Sequence, residues 1–119
     1  MRPTEAGRAD PLIAPFADGA PVFHWHLDTF TLPPDAVHLA ESDRTAIQAF
    51  RIGRAVYGIQ FHFEADRRLV ETWNRDFAGE IADCMPDWPA RHPSEAARHG
   101  EIADATGLAV ARAWTGLIR

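Results

Sequence analysis

A histidine and a glutamate stand two residues apart at the end of a strongly apolar run, in the segment Gly58–Glu64. If this segment is extended, the side chains of His62 and Glu64 point to the same side of the chain. The carboxylate can then fix the tautomer of the imidazole while the other ring nitrogen faces a nucleophile. The spacing predicts a general base and its orienting acid. On spacing alone, a strand-end histidine held by a surface glutamate is the more common arrangement.

A second polar cluster alternates along the segment His24-Trp25-His26-Leu27-Asp28. In an extended chain His24, His26 and Asp28 share one face, and such a face can ligate a metal ion. The pattern resembles the metal loop of the metallo-β-lactamase superfamily, but Thr29 stands where that loop has another histidine. We expect a structural or substrate-facing loop and no bound metal, and a metal-dependent hydrolase is kept as an alternative.

The chain has one cysteine, Cys84, which cannot form a disulfide within the chain. It continues the apolar stripe of a predicted helix, whereas an activated thiolate favours a helix N-terminus or a cationic neighbour. We therefore expect a buried structural cysteine. A chain without a disulfide fits a reducing compartment, and the expected location is the cytoplasm.

Composition excludes several classes of function. The 119 residues correspond to one domain, and the net charge of −5 provides no positive surface for nucleic acid or anionic membranes. The longest apolar run is much shorter than the roughly 20 residues needed to span a bilayer. The glycine-rich loops that bind nucleotides and the Gly-x-Ser-x-Gly turn of serine hydrolases are both missing from the sequence. No cofactor is expected.

The order of the elements favours an α/β layer architecture. Residues 1–9 are predicted to be a disordered or frayed leader, and residues 10–119 to form the domain. The predicted strands are residues 22–26, 36–41, 46–51 and 55–61. The last of these is apolar without clear alternation, which predicts a central strand covered on both faces.

Two helices are expected after the strands. Asp66 can cap the first, whose inward stripe is Leu69, Val70, Trp73, Phe77, Ile81 and Cys84. The proline-rich residues 85–93 are predicted to be a linker. The second helix is predicted to run from about Ser94 to Leu117 and to bury Ile102, Ala105, Ala109 and Ala113.

Several motifs taken together resemble the C-terminal half of a class-I glutamine amidotransferase, in the branch labelled GMP-synthase-like. The similarity extends from about Asp10 through the helix that contains Trp73. The motifs are Trp25-His26-Leu27-Asp28-Thr29-Phe30, Leu32-Pro33-Pro34, Leu39-Ala40-Glu41-Ser42, Gln48-Ala49-Phe50 and Gly58-Ile59-Gln60-Phe61-His62-Phe63-Glu64.

The resemblance implies a partial flavodoxin-like, three-layer α/β domain with central strands and two C-terminal helices. It implies that glutamine is hydrolysed by a Cys-His-Glu triad, in which His62 is the general base and Glu64 holds it. His26, Asp28 and Gln60 are expected beside the site. Phe63 and Leu27 replace a proline and a glycine that are common in the family.

The family's nucleophile lies in a Gly-x-Cys-x-Gly turn, which these 119 residues do not contain. We therefore expect a truncated chain that is inactive alone. Its expected partners are a separate N-terminal half or a second copy, joined through an exposed sheet edge. A non-catalytic interaction module derived from the same fold is the remaining alternative.

Overall fold

The computed structural model describes residues 1–118. The elements in chain order are β1 (Arg2–Pro3), α1 (Glu5–Ala9), a 3₁₀ turn (Ala14–Phe16), β2 (Val37–Glu41), β3 (Ala49–Ile52), β4 (Val56–Ile59), α2 (Arg67–Asp76), α3 (Ala78–Cys84) and α4 (Trp88–Gly116). None of the helices in this part of the chain has the length and apolar character that crossing a membrane would require.

The four strands form one antiparallel sheet in the order β1-β2-β3-β4. The connections from β2 to β3 and from β3 to β4 are short, whereas parallel neighbours need a crossover of a dozen or more residues. Gly53, with a φ of 57°, makes the second of these turns. The chain is thus mixed α and β, as predicted, and the flavodoxin-like layering implied by the resemblance is not confirmed.

Strand β4 lies at the edge of the sheet, so the prediction of a central strand covered on both faces is wrong. Val56 is 63% exposed. Tyr57 and Ile59 instead pack against the hydrophobic core. The apolar run reflects this one-sided packing and an uncovered strand end. Residues 22–26, also predicted as a strand, contribute only an isolated bridge between Phe23 and His62.

The core lies between the sheet, the segment that follows α1, and α4. Its buried members are Leu12, Ile13, Phe16, Leu39, Ala40, Ala49, Phe61 and Val110. Residues 1–9, predicted to be disordered or frayed, are instead part of this structure: Arg2 and Pro3 pair with β2. A Cβ on Gly7 would lie 1.9 Å from the carbonyl oxygen of Leu39, so only glycine allows α1 to approach β2 so closely.

A buried carboxylate connects the segment after α1 to the sheet. The side chain of Asp10 is 1% exposed and accepts a hydrogen bond from Arg51 Nε at 2.9 Å. The hydroxyl of Tyr57 donates to both oxygens of the same carboxylate at 3.2 Å. Burial, and to a lesser degree the Asp10 charge, raise the pKa of Tyr57. The two strands at one side of the sheet are thereby held to the N-terminal segment.

Helix α2 begins where the sequence predicts, because the Asp66 side chain accepts from the backbone N–H of Leu69 at 2.8 Å. The helical stripe is interrupted at Phe77, where the backbone leaves the helical conformation before α3 begins. Cys84, at the end of α3, is consequently exposed, which corrects the prediction of a buried cysteine.

Helix α4 starts at Trp88, so the linker predicted for residues 85–93 is wrong. Pro89 fits in the first turn, where a backbone N–H has no partner within the helix, and Pro93 follows one turn later. The predicted inward stripe is wrong at Ile102, which is 53% exposed, and at Ala105, which is also exposed, whereas Ala113 packs against the core. The residues that α4 does bury are Gly100, Thr106, Gly107 and Val110.

Candidate functional site

The structure brings His62 and Glu64 into direct contact. Nδ1 of His62 donates to Oε1 of Glu64 across 2.7 Å, and the side chains are 31% and 51% exposed. The carboxylate can only accept, so the proton of the neutral imidazole lies on Nδ1 and Nε2 carries a lone pair. Within residues 1–118, Nε2 makes no hydrogen bond. The ring therefore presents a free acceptor.

The pair meets across a turn, which differs from the extended geometry assumed from the spacing. His62 forms an isolated antiparallel β-bridge with Phe23, and its N–H donates to the carbonyl of Phe23 at 2.8 Å. The N–H of Ala65 then reaches back to the carbonyl of His62 at 3.4 Å. The N–H of Asp66 donates to the carbonyl of Glu64 at 3.1 Å, directly before α2. The backbone on both sides of the pair is thus hydrogen-bonded.

Aromatic rings surround one side of the imidazole. Trp73 lies edge-to-face with His62, with ring centroids 5.2 Å apart and planes at 81°. Phe23 lies 6.4 Å away. A hydrogen bond such as that from Nδ1 to Glu64 contributes about 0.5–1.5 kcal/mol, and an edge-to-face aromatic contact contributes a similar amount. The orientation of the ring thus depends on Trp73 as well as on Glu64.

The sequence does not identify Trp73 as a neighbour of His62. Its position on the apolar stripe of α2 predicts a core residue, and the ten residues between it and His62 include a turn and a helix cap. The available signal is the cap at Asp66, which fixes where α2 begins and therefore which face of the helix turns back toward the pair.

His26 and Asp28 act through the backbone of their loop. The N–H on Nδ1 of His26 donates to the backbone carbonyl of Asp28 at 2.9 Å, and the side-chain amide of Gln60 donates to the same oxygen at 2.7 Å. The remaining nitrogen of His26 can then accept from the amide of Gln48, 3.5 Å away. These contacts hold the loop against the strand that leads to His62.

The metal interpretation of this loop gains no support. One nitrogen of His26 is engaged by the carbonyl of Asp28, and the rings of His24 and His26 are 5.8 Å apart. In the part of the chain that the structure describes, no group of three or more His, Cys, Asp or Glu side chains is arranged to hold a metal ion.

A cavity of about 570 Å³ lies beside the loop and extends to Phe23 and Ala65, which are next to the His62–Glu64 pair. Its walls include His24, Gln48, Trp88 and Arg91, but neither His62 nor Glu64. His24 Nδ1 and Gln48 Oε1 are buried without a partner among the described residues. Burial, together with the positive charges of the amino terminus, His26 and His62, lowers the pKa of His24 to about 4. His24 is therefore a neutral wall residue.

The chain is similar to a glutamine amidotransferase-like protein. It is 41% identical over 82 residues to the putative glutamine amidotransferase-like protein YfeJ of Salmonella typhimurium. The aligned residues are 69% of this chain and 34% of the Salmonella protein, so the chain spans about a third of the length of this relative. No family model matches the chain.

The Salmonella relative supports the class-I glutamine amidotransferase-like family predicted from the motifs. Its name does not support the narrower GMP-synthase-like branch.

Proposed function

We propose that this chain is the His-Glu-bearing part of a class-I glutamine amidotransferase-like domain, in which His62 is the general base and acid and Glu64 orients it. The observation that carries the proposal is the 2.7 Å contact from Nδ1 to Oε1, which leaves Nε2 of a part-exposed imidazole free. The substrate is glutamine and the products are ammonia and glutamate. The GMP-synthase-like branch is the finer part of the proposal and rests on the motif resemblance.

The proposed reaction uses Nε2 first as a base and then as an acid in each of two half-reactions. In the first, Nε2 takes the proton of a cysteine thiol while the sulfur attacks the side-chain carbonyl carbon of glutamine. Nε2 then gives that proton to the leaving nitrogen, so ammonia departs and a thioester remains. In the second, Nε2 takes a proton from a water molecule while the water oxygen attacks the thioester carbon. The carbon–sulfur bond breaks, Nε2 returns the proton to the sulfur, and glutamate and the free thiol are released. Glu64 stabilises the imidazolium that forms in each step.

The thiol must come from outside these 119 residues. Cys84 is the last residue of helix α3, and it lies outside any Gly-x-Cys-x-Gly segment. The part of the Salmonella relative that this chain does not match is about two thirds of that protein. We propose that a Gly-x-Cys-x-Gly segment in an equivalent region completes the triad. The chain alone is then expected to be inactive toward glutamine.

The proposal is tested by supplying the missing part. The chain is coexpressed with the region of the Salmonella relative that it does not match, and ammonia release from glutamine is measured. Activity is expected for the complex and not for either part alone. His62→Ala should lower kcat by about 10²–10⁴-fold, because a general base contributes that much. Glu64→Gln should lower it by at least about tenfold, because the anionic acceptor of Nδ1–H is replaced by a neutral amide.

His99→Ala is the matched control, because this histidine is exposed on α4 and its one ion-pair partner among residues 1–118 is Glu95 of the same helix. It should leave ammonia release unchanged. If the two parts associate and no ammonia is released, or if His62→Ala retains full activity, the proposed function is wrong.

A further inference from the structure

We infer that Trp73 is a positioning residue for His62, and that its indole keeps the imidazole turned with Nδ1 toward Glu64. The inference rests on the proposed function in one respect: the fixed orientation matters for catalysis only if His62 is the general base. The orientation itself is a property of the folded chain.

Glu64 alone is a weak constraint. Its side chain is about half exposed, so water competes for the carboxylate and its rotamers are accessible. His62 is less exposed than Glu64, and the ring that packs edge-to-face against it at 5.2 Å belongs to Trp73. A change in the orientation of the imidazole would give up this edge-to-face contact, which contributes about 0.5–1.5 kcal/mol. Trp73 therefore adds a second contact that favours the observed orientation of the ring.

Trp73 is itself held in place by other aromatic rings. It packs edge-to-face with Trp25, with centroids 5.5 Å apart, and lies 5.8 Å from Phe23. Phe23 lies 6.0 Å from Trp88, whose indole N–H donates to Asn74 of α2 at 2.8 Å. A mobile indole could not hold the imidazole of His62 in one orientation. These contacts make Trp73 a fixed surface against which the imidazole is aligned.

The placement of Trp73 follows from the local sequence. Glu64 and Asp66 are two residues apart, and Asp66 caps α2 immediately after the pair. Trp73 comes seven positions after this cap, two helical turns along, on the face that also carries the buried Val70. The turn before α2 therefore places His62 and Glu64, and the capped helix α2 places Trp73 beside them.

The test is the tautomer of His62 in the isolated chain, measured by long-range ¹H–¹⁵N NMR at a pH where the imidazole is neutral. The wild-type chain should show mainly the Nδ1–H form. Trp73→Leu keeps an apolar residue on α2 but removes the ring, and the ratio of Nδ1–H to Nε2–H should fall by about 3–10-fold. Trp73→Phe retains an aromatic edge and should keep most of the wild-type ratio.

Trp114→Leu is the matched control. Trp114 lies on α4, packs against Tyr57 of β4 and makes no ring contact with His62. It should leave the ratio unchanged. An unchanged ratio in folded Trp73→Leu overturns the inference, and so does an equal loss in folded Trp73→Phe. Ammonia release plays no part in this measurement, so failure of the proposed reaction and failure of the positioning role are separate results. If Trp73→Leu does not fold, Trp73→Phe and Trp73→Met are compared by the same criterion.

Discussion

The chemistry of the candidate site depends on two side chains whose contact could be predicted from their spacing. His62 and Glu64 meet because they are two residues apart after a strand, although the backbone between them turns instead of remaining extended. For Gln60 and His26, the sequence predicted only that they lie beside the site, and not which atoms they contact. Both donate to one carbonyl, that of Asp28, and a backbone acceptor has no signature in the sequence.

At the same scale, His24 makes the stability of the fold dependent on pH. Its pKa of about 4 in the folded chain lies below the value of 6.5 expected when the chain is unfolded, so protons bind the unfolded state preferentially. The free energy of unfolding should therefore fall as the pH drops from about 6.5 to about 4, by up to about 3 kcal/mol. Urea denaturation at several pH values measures this change.

His24→Phe provides the comparison, because it fills a similar volume without an ionisable group. The dependence on pH in this window should become shallower in the variant. A variant whose stability falls with pH as steeply as that of the wild type would show that His24 is not the group responsible.

Among the elements, α4 illustrates what periodicity does not reveal. Glycine has a low helix propensity, yet Gly100 and Gly107 are two of the residues that this helix buries. A Cβ on Gly107 would lie 2.2 Å from the carbonyl oxygen of Phe63, the residue between His62 and Glu64. The glycine thus allows the helix to approach the backbone of the candidate site. Apolar spacing identifies large side chains that point inward. A close approach of two backbones instead requires a residue without a side chain, which this spacing does not reveal.

Gly107→Ala should therefore destabilise the chain by about 1–3 kcal/mol, because the added methyl displaces the backbone at Phe63. The effect opposes the helix propensity of alanine, which favours the substitution. Thermal denaturation measures the change, and NMR shifts of His62 should move as well. Gly79→Ala is the matched control: this glycine is also helical, with no atom within 4 Å of an added Cβ. It should stabilise the chain slightly, by about 0.4–1 kcal/mol. Equal effects of both substitutions would contradict the packing argument.

The whole molecule has two sheet edges that differ in their chemistry. Strand β1 is two residues long and consists of Arg2 and Pro3, a charge and a proline, which both discourage further pairing. Strand β4 has the sequence Val-Tyr-Gly-Ile and no charged residue. The sequence predicts a free edge in this chain but places the apolar run of residues 55–61 in mid-sheet. Hydrophobicity shows that a strand is partly buried, whereas its neighbours are set by loop lengths and pairing over long sequence separations.

The uncharged edge predicts association, either with the remainder of an amidotransferase-like domain or with a second copy of the chain. In the absence of another protein, light scattering coupled to size exclusion should show dimers whose fraction rises with concentration. Val56→Lys should shift the equilibrium toward monomer, because a charge on this exposed residue opposes pairing at the β4 edge without disturbing the core. Ile102→Lys is the matched control, since Ile102 is 53% exposed and lies on α4, about 18 Å along the helix from the Trp114 that contacts β4, and it should leave association unchanged. A wild-type chain that is monomeric at every concentration would contradict self-association through the β4 edge. Two lysine variants that dissociate the dimer equally would mean that general apolar exposure, and not the β4 edge, determines how this chain associates.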